Sequence, residues 1–224
     1  PTDLLSRLPG GARALIQAHI EPEVVEVFGE GAAAWAPRRA ELRDRWAIPP
    51  EAFCFLFAGK LQGKKQPLDL LEALGRLVAE PSAPAVHLLM VGGGELDAAC
   101  RARVARDALP VSFAGFLNQH EISAAYAASD ALVLPSDWGE TWGLVVNEAM
   151  ACGLPAIVSD RVGCADDLVS AGGTGLVFPC RDVAALSAAL ATMARDPEGA
   201  RRMGEAARRR VMERYAIAHA AEGI

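Results

Sequence analysis

A chain of 224 residues with a formal net charge of -6 has no general attraction for nucleic acid or anionic lipid, so any anion site must be local. Its 52% hydrophobic and 22% charged residues belong to a globular protein with a substantial core and exclude a disordered or fibrous chain. No apolar run approaches the roughly 20 residues of a membrane-spanning helix, and Cys54, Cys100, Cys152, Cys164 and Cys180, odd in number and without C-x-x-C spacing, read as buried thiols of a reducing cytoplasm rather than a disulfide framework or zinc site.

Residues 1–50 are rich in Ala, Pro and Glu with weak periodicity, and read as a partial N-terminal or linker segment ahead of a domain at 51–224. The start, Pro1-Thr2-Asp3, has no basic stretch leading into an apolar one, so no signal peptide is expected. The missing Met suggests numbering that begins inside a longer protein. Gly29-Glu30-Gly31-Ala32-Ala33-Ala34 reads as a loop, and Arg38 to Trp46 as a short charged helix stopped by Pro49-Pro50.

From residue 53 the pattern is regular. Short apolar runs at Phe53–Ala58, Val86–Val91, Val111–Phe113, Ala131–Leu134, Ala156–Ser159 and Gly175–Phe178 have the length of strands, and most are apolar throughout, as in a parallel sheet buried on both faces. Helices are expected between them at Pro67–Ala79, Glu95–Asp107, Gln119–Ser129, Gly143–Cys152 and Ala165–Ser170, with Val183–Arg195 and Pro197–Tyr215 closing the chain. The alternation predicts an α/β domain, a doubly wound, mostly parallel Rossmann-like sheet of about six strands with helices on both faces. The last helix carries Arg201, Arg202, Arg208, Arg209, Arg210 and Arg214, which read as a solvated face, with a peripheral membrane or partner patch as the alternative.

Ligands of such sheets bind beyond the carboxyl ends of the strands, so the segments that follow each strand carry the functional signal. Phe53–Ala58 runs into Gly59-Lys60-Leu61-Gln62-Gly63-Lys64-Lys65, whose lysines could hold a diphosphate as point charges. Taken alone a solvated loop explains them more simply, and G-x-x-x-x-G-K-[ST] is absent. Val86–Val91 runs into Gly92-Gly93-Gly94-Glu95, where glycines let backbone approach a ligand; the dinucleotide pattern G-x-G-x-x-G fails because position 97 is Asp97. Ala114-Gly115-Phe116-Leu117-Asn118 could meet a planar base through Phe116 and backbone groups, or be a plain connection capped by Asn118.

Ala131–Leu134 ends at Pro135 and opens into Ser136-Asp137-Trp138-Gly139-Glu140-Thr141-Trp142, followed by a helix stopped by Gly153 and Pro155. Glu140 then lies in the loop at the crevice, and Glu148 about a turn and a half into the helix, with Leu144 one turn earlier on the same face. Unpaired amides from Trp142 to Val145 make an anion site at the helix start. Carboxylates suit vicinal hydroxyls and backbone donors suit phosphate oxygens, so one place offers both needs of a sugar linked to a nucleoside diphosphate. On the two glutamates alone, surface charges are an equally good account.

The surrounding sequence resembles glycosyltransferase family 4, a group of retaining GT-B enzymes. Glu140 to Pro155 is similar to its E-x7-E signature, Gly59-Lys60-Leu61 with Lys65 to its G-[RK]-L…K segment, Val91 to Gly94 to its V-G-x-G turn, and Phe113-Ala114-Gly115 to its F-x-G turn. Gly172 to Leu176 with Asp182 resembles its closing G-x-T-G…D, so the likeness spans about residues 50–216. The resemblance implies that Glu148 accepts the ribose hydroxyls and Glu140 contacts the transferred sugar. It also implies that backbone of Thr141, Trp142, Gly143 and Leu144 holds sugar and phosphate, beside glycines Gly59 and Gly94. Lys60 and Lys65 would neutralise the leaving diphosphate, and Leu117 backbone would read the base. No cofactor and no metal are implied; the donor would be a UDP- or GDP-linked sugar.

Two positions depart from the family pattern, Lys60 where Arg is common and Trp142 where Phe or Tyr is usual. Family members also carry an N-terminal acceptor domain with a histidine near the reacting carbon, and His19, His87, His120 and His219 sit in no such context; His87, mid-strand, reads as a core or sheet-face residue. The expectation is therefore the donor half of a retaining glycosyltransferase, inactive without the acceptor half. A sugar, lipid or other small acceptor would be reached through that other half, in the cytoplasm or peripherally at the inner membrane face, with no nucleic acid partner. A nucleotide-sugar epimerase and a non-enzymatic binding module on the same fold are the alternatives.

Overall fold

A computed structural model describes residues 22–215 apart from Gly139, Ala171 and Gly172. Six short, almost wholly apolar segments pair into one parallel sheet: β1 (Phe53–Ala58), β2 (Val86–Val91), β3 (Val111–Gly115), β4 (Ala131–Leu134), β5 (Ala156–Ser159) and β6 (Gly175–Phe178), in the order β3-β2-β1-β4-β5-β6. Parallel neighbours need long crossovers, and here helices supply them. Helices α1 (Pro22–Trp35) and α2 (Arg39–Arg45) precede the sheet; α3 (Pro67–Val78), α4 (Asp97–Asp107), α5 (Gln119–Ala128) and α6 (Leu144–Ala151) cross over between strands; a π-helical turn, Ala165–Ser170, links β5 to β6; α7 (Val183–Arg195) and α8 (Pro197–Tyr215) close the domain.

Side chains of a strand alternate between faces, and β1 serves two cores. Phe53, Phe55 and Phe57 pack with α3 and α7 on one side, while Cys54, Leu56 and Ala58 pack with α1, α5 and α6 on the other. The chain winds outward from β1 to β3, then returns across the sheet to β4, so the order reverses between β1 and β4. That reversal opens a crevice at the carboxyl ends of the two central strands.

The segment Gly29 to Ala34 is helical, not a loop, and lies inside α1. Glycine costs roughly 1 kcal/mol against alanine in a helix interior, but here it lets α1 cross α5 and α6 closely. A Cβ at Gly31 would lie 2.7 Å from Ser123 Oγ, and one at Gly29 would lie 3.3 Å from the Ala151 carbonyl. Phe28, one residue earlier, is buried edge-on against Tyr126 at 5.9 Å. Tertiary packing outweighs local propensity. The remaining differences are at element ends: β3 runs on to Gly115 and pairs it with Val91, and Ala165–Ser170 winds as a π turn.

At the amino-terminal edge of the sheet, Arg39 reaches Asp130 at 2.7 Å and the Ser129 carbonyl at 2.9 Å, while Asp130 accepts the Cys54 amide at 2.8 Å. This network ties α2 to the starts of β1 and β4. Cys54, Cys100 and Cys164 are buried free thiols, and Arg201 on α8 pairs with Glu198 and Glu205 at the surface. No helix among the described residues is long and apolar enough to cross a membrane.

His87 is buried in β2 with its Nε2 2.9 Å from Ser112 Oγ, and burial, aided by the Arg43 guanidinium, lowers its pKa to about 4. The unfolded chain protonates this imidazole first, so its contribution to stability is lost as pH falls from about 6.5 toward 4. Urea unfolding of His87→Gln across that range should show a flatter acid decline, the difference approaching about 3 kcal/mol.

Candidate functional site

The loops after β1 and β2 are zipped together. Gly59 N–H donates to the Val91 carbonyl at 3.0 Å, Leu61 N–H to the Gly93 carbonyl at 3.0 Å, and Leu96 N–H to the Leu61 carbonyl at 2.9 Å. Gly92 has φ of 118°, and a Cβ there would sit 2.0 Å from the Gly59 carbonyl oxygen. A Cβ on Gly94 would likewise meet the Leu61 carbonyl at 2.4 Å. The bare backbone expected to face a ligand at Gly94 is thus also required by the neighbouring loop. Lys60 is exposed; Lys65 ends a short 3-10 turn, Gly63–Lys65, and its side chain runs back past Gly59.

That turn meets the loop after β4. Asp137 N–H donates to the Lys64 carbonyl at 2.9 Å, and Gln66 Nε2 donates to Asp137 Oδ2 at 2.9 Å. The Lys65 ammonium pairs directly with Glu140 Oε2, which also accepts from Ser136 Oγ at 3.2 Å. Both side chains of the pair are only 15% exposed, so each charge relies on the other for much of its lost hydration. Arg181 supports the turn from outside, donating to Gln66 and pairing with Asp69 at 3.2 Å.

Thr141 to Leu144 form the bend into α6. Gly143 has φ of 94°, and a Cβ there would meet Val162 at 2.9 Å. The loop after β5 backs this bend: Gly163 N–H donates to the Glu140 carbonyl at 3.3 Å and Cys164 N–H to the Trp142 carbonyl at 3.0 Å. Trp142 is buried, and its indole N–H donates to Asn147 Oδ1 at 2.8 Å, while Asn147 Nδ2 has no partner among the described residues. Helix α6 starts at Leu144, whose amide and that of Val145 have no intrahelical acceptor.

Glu148, in the second turn of α6, is half-buried and accepts from the Tyr126 hydroxyl at 2.7 Å. Burial raises its pKa, and the Tyr126 hydrogen bond works against that rise. Leu117 is half-buried on the same core beside the exposed Phe116.

The fold thus brings Gly59, Lys65, Glu140 and the Thr141–Leu144 bend together at the reversal. Lys60 makes no ion pair among the described residues, and Glu148 is held by its own partner. Sequence reasoning missed Ser136, Gln66, Tyr126, Asn147 and Gly163, which act through other residues. The polar pairs of Asn147 with Trp142 and of Tyr126 with Glu148 left no local motif to find. A groove of about 640 Å³ lies at the amino-terminal edge of the sheet, away from the Lys65–Glu140 pair, lined by Phe53, Asp130 and Leu154 and reaching Tyr126.

The sequence profile of the family described as Glycosyl transferases group 1 matches residues 38–210. Glycogen synthase of Mycobacterium tuberculosis is 34% identical over 208 residues, covering 87% of this chain and 48% of that protein. D-inositol 3-phosphate glycosyltransferase of Streptomyces bingchenggensis is 33% identical, covering 84% of this chain and 44% of that protein. The chain therefore spans about half the length of the curated relatives it matches. Among solved structures, sucrose-phosphate synthase of Thermosynechococcus elongatus is similar with a TM-score of 0.70 at 30% identity, over 82% of this chain and 47% of that one. HepE of Anabaena in complex with UDP and glucose shares the fold with a TM-score of 0.72 at 23% identity, over 83% of this chain and 50% of that one.

Two stability measurements test the site's internal wiring. Trp142→Phe strands the buried Asn147 amide and should cost about 1–3 kcal/mol, much of it recovered in the Trp142→Phe/Asn147→Leu double variant. A purely additive cycle in chemical denaturation would contradict the coupling. The raised pKa of Glu148 means that its contribution to stability is present below its unfolded value, roughly pH 4.3, and lost as pH rises through the higher folded value. Glu148→Gln, whose amide oxygen still accepts from Tyr126, should therefore melt higher than the parent at pH 7, with the gap closing toward pH 4.

Proposed function

The chain belongs to the group 1 glycosyltransferases, and on that footing we propose that it is the donor-binding half of a retaining hexosyltransferase, residues 51–224 forming the donor unit and residues 1–50 a segment ahead of it whose helices α1 and α2 pack into its core. One observation carries the reading: a lysine and a glutamate from different strand ends meet in an ion pair at the sheet reversal, beside a glycine-led helix start and a second glutamate.

In this reading Glu148 accepts the ribose hydroxyls and Glu140 the transferred sugar near its 3-hydroxyl. Backbone of Thr141, Trp142, Gly143 and Leu144 holds sugar hydroxyls and phosphate, with Gly59 and Gly94 keeping the opposing loops low. Leu117 backbone meets the base. Departure of the nucleoside diphosphate builds negative charge on the leaving oxygen and positive charge at the anomeric carbon. Lys60 and Lys65 neutralise the former. The arriving diphosphate shares the Lys65 ammonium, which frees Glu140 lone pairs for the sugar. The acceptor enters from the face the diphosphate leaves, so configuration is retained.

A UDP- or GDP-linked sugar is the donor proposed; the complex of HepE with UDP-glucose supports the former by analogy of fold. The acceptor is a sugar, lipid or other small molecule held by the other half of the enzyme, and the free thiols suit the cytoplasm. This chain then binds donor and transfers nothing unaided. Calorimetry with UDP-, GDP- and ADP-glucose should find one nucleotide class that binds, and Glu148→Ala should weaken it about tenfold or more. Silence from every nucleotide would sink the proposal.

A further inference from the structure

Tyr126 does not border the Lys65–Glu140 crevice, yet it holds the second glutamate. Its ring is fully buried near the end of α5, wedged edge-on by Phe28 of α1, and its hydroxyl donates to Glu148 Oε2 at 2.7 Å. A phenol has one proton to donate, and burial, with the Glu148 charge beside it, raises the Tyr126 pKa well above its usual value, so the donor survives at any working pH. Glu148 Oε1 accepts no hydrogen bond among the described residues. Among the described residues, one carboxylate oxygen is therefore anchored from within the domain and the other is uncommitted.

We infer that Tyr126 is a positioning residue for nucleoside recognition, fixing the Glu148 carboxylate so that Oε1 and the second lone pair of Oε2 meet the two vicinal hydroxyls of a ribose. The inference rests on the reading of Glu148 as the ribose acceptor. A free glutamate would have to give up rotamer freedom when ligand arrives; one already anchored has done so on folding. The same bond works against the burial that raises the Glu148 pKa. The other groups around it are Cys152, one turn on at the end of α6, and Arg208 of α8 beyond Cys152; β4 and β5 beneath α6 carry no charged residue, and Glu30 of α1 is exposed.

The test measures the 224-residue chain against UDP, GDP and ADP and their 2′-deoxy forms, with the best-bound pair as probe. The parent should prefer the ribonucleotide, and Glu148→Ala should erase that preference; a preference that survives Glu148→Ala overturns the ribose reading itself. Tyr126→Phe should reduce the preference by about threefold or more, and should shift the acid limit of binding to higher pH, because the buried carboxylate loses its donor. With Glu148→Ala behaving as expected, an unchanged preference and an unchanged acid limit in Tyr126→Phe overturn the inference. A merely structural tyrosine would lower the melting temperature without moving either quantity. Should Tyr126→Phe not fold, replacing both tyrosines of the chain with 3,5-difluorotyrosine keeps the ring and strengthens the donor. The acid limit should then move to lower pH, and no movement would count against the role.

Discussion

The Lys65–Glu140 ion pair joins the loop after β1 to the loop after β4 at the one point where the sheet changes direction. Side chains this shielded tolerate charge because each offsets the other, and removing either would leave a poorly hydrated ion. The pair does not stand alone. Asp69, Arg181, Gln66 and Asp137 form a polar chain around the Gly63–Lys65 turn, and the Asp137 amide pins that turn through the Lys64 carbonyl. The ammonium and carboxylate are thus set by neighbours before any ligand arrives, which is the condition for electrostatic preorganisation.

The same two strands are clamped at their other end. Arg39 and Asp130 tie α2 to the starts of β1 and β4, so the strand pair carrying the site is held at both edges. Helix α1 adds to this through a close crossing over α5 and α6, the helices that carry Tyr126 and Glu148.

Around the site, local favourability is given up repeatedly. Glu148 is kept half-buried against its hydration, Asn147 Nδ2 has no partner among the described residues, and Gly92 and Gly143 take backbone conformations that side chains rarely adopt. Departures of this kind gather where a surface must present groups to a ligand rather than bury them. Trp142 shows how such a departure is accommodated. The larger indole brings an N–H into the core, and Asn147 five residues on supplies its acceptor.

The strands, the crossover helices and the Glu140–Glu148 spacing were legible in the sequence because each is local. Unbroken apolar runs of strand length, punctuated by Gly, Pro and Asn, admit few alternatives, and a glutamate pair around a glycine-led helix start fixes its own relative position. Gly29 to Ala34 misled for the opposite reason: glycine lowers local helix propensity, while its benefit comes from Ser123 and Ala151, distant in sequence. The partners Lys65 with Glu140 and Tyr126 with Glu148 lie on separate crossovers, so only the strand order brings them into reach. Sequence alone determined which carboxylates, ammonium groups and glycines follow each strand. Tertiary structure alone decided which charges meet, which lone pairs stay open and which glycines serve the neighbouring backbone, because those are distances between segments that no local pattern encodes.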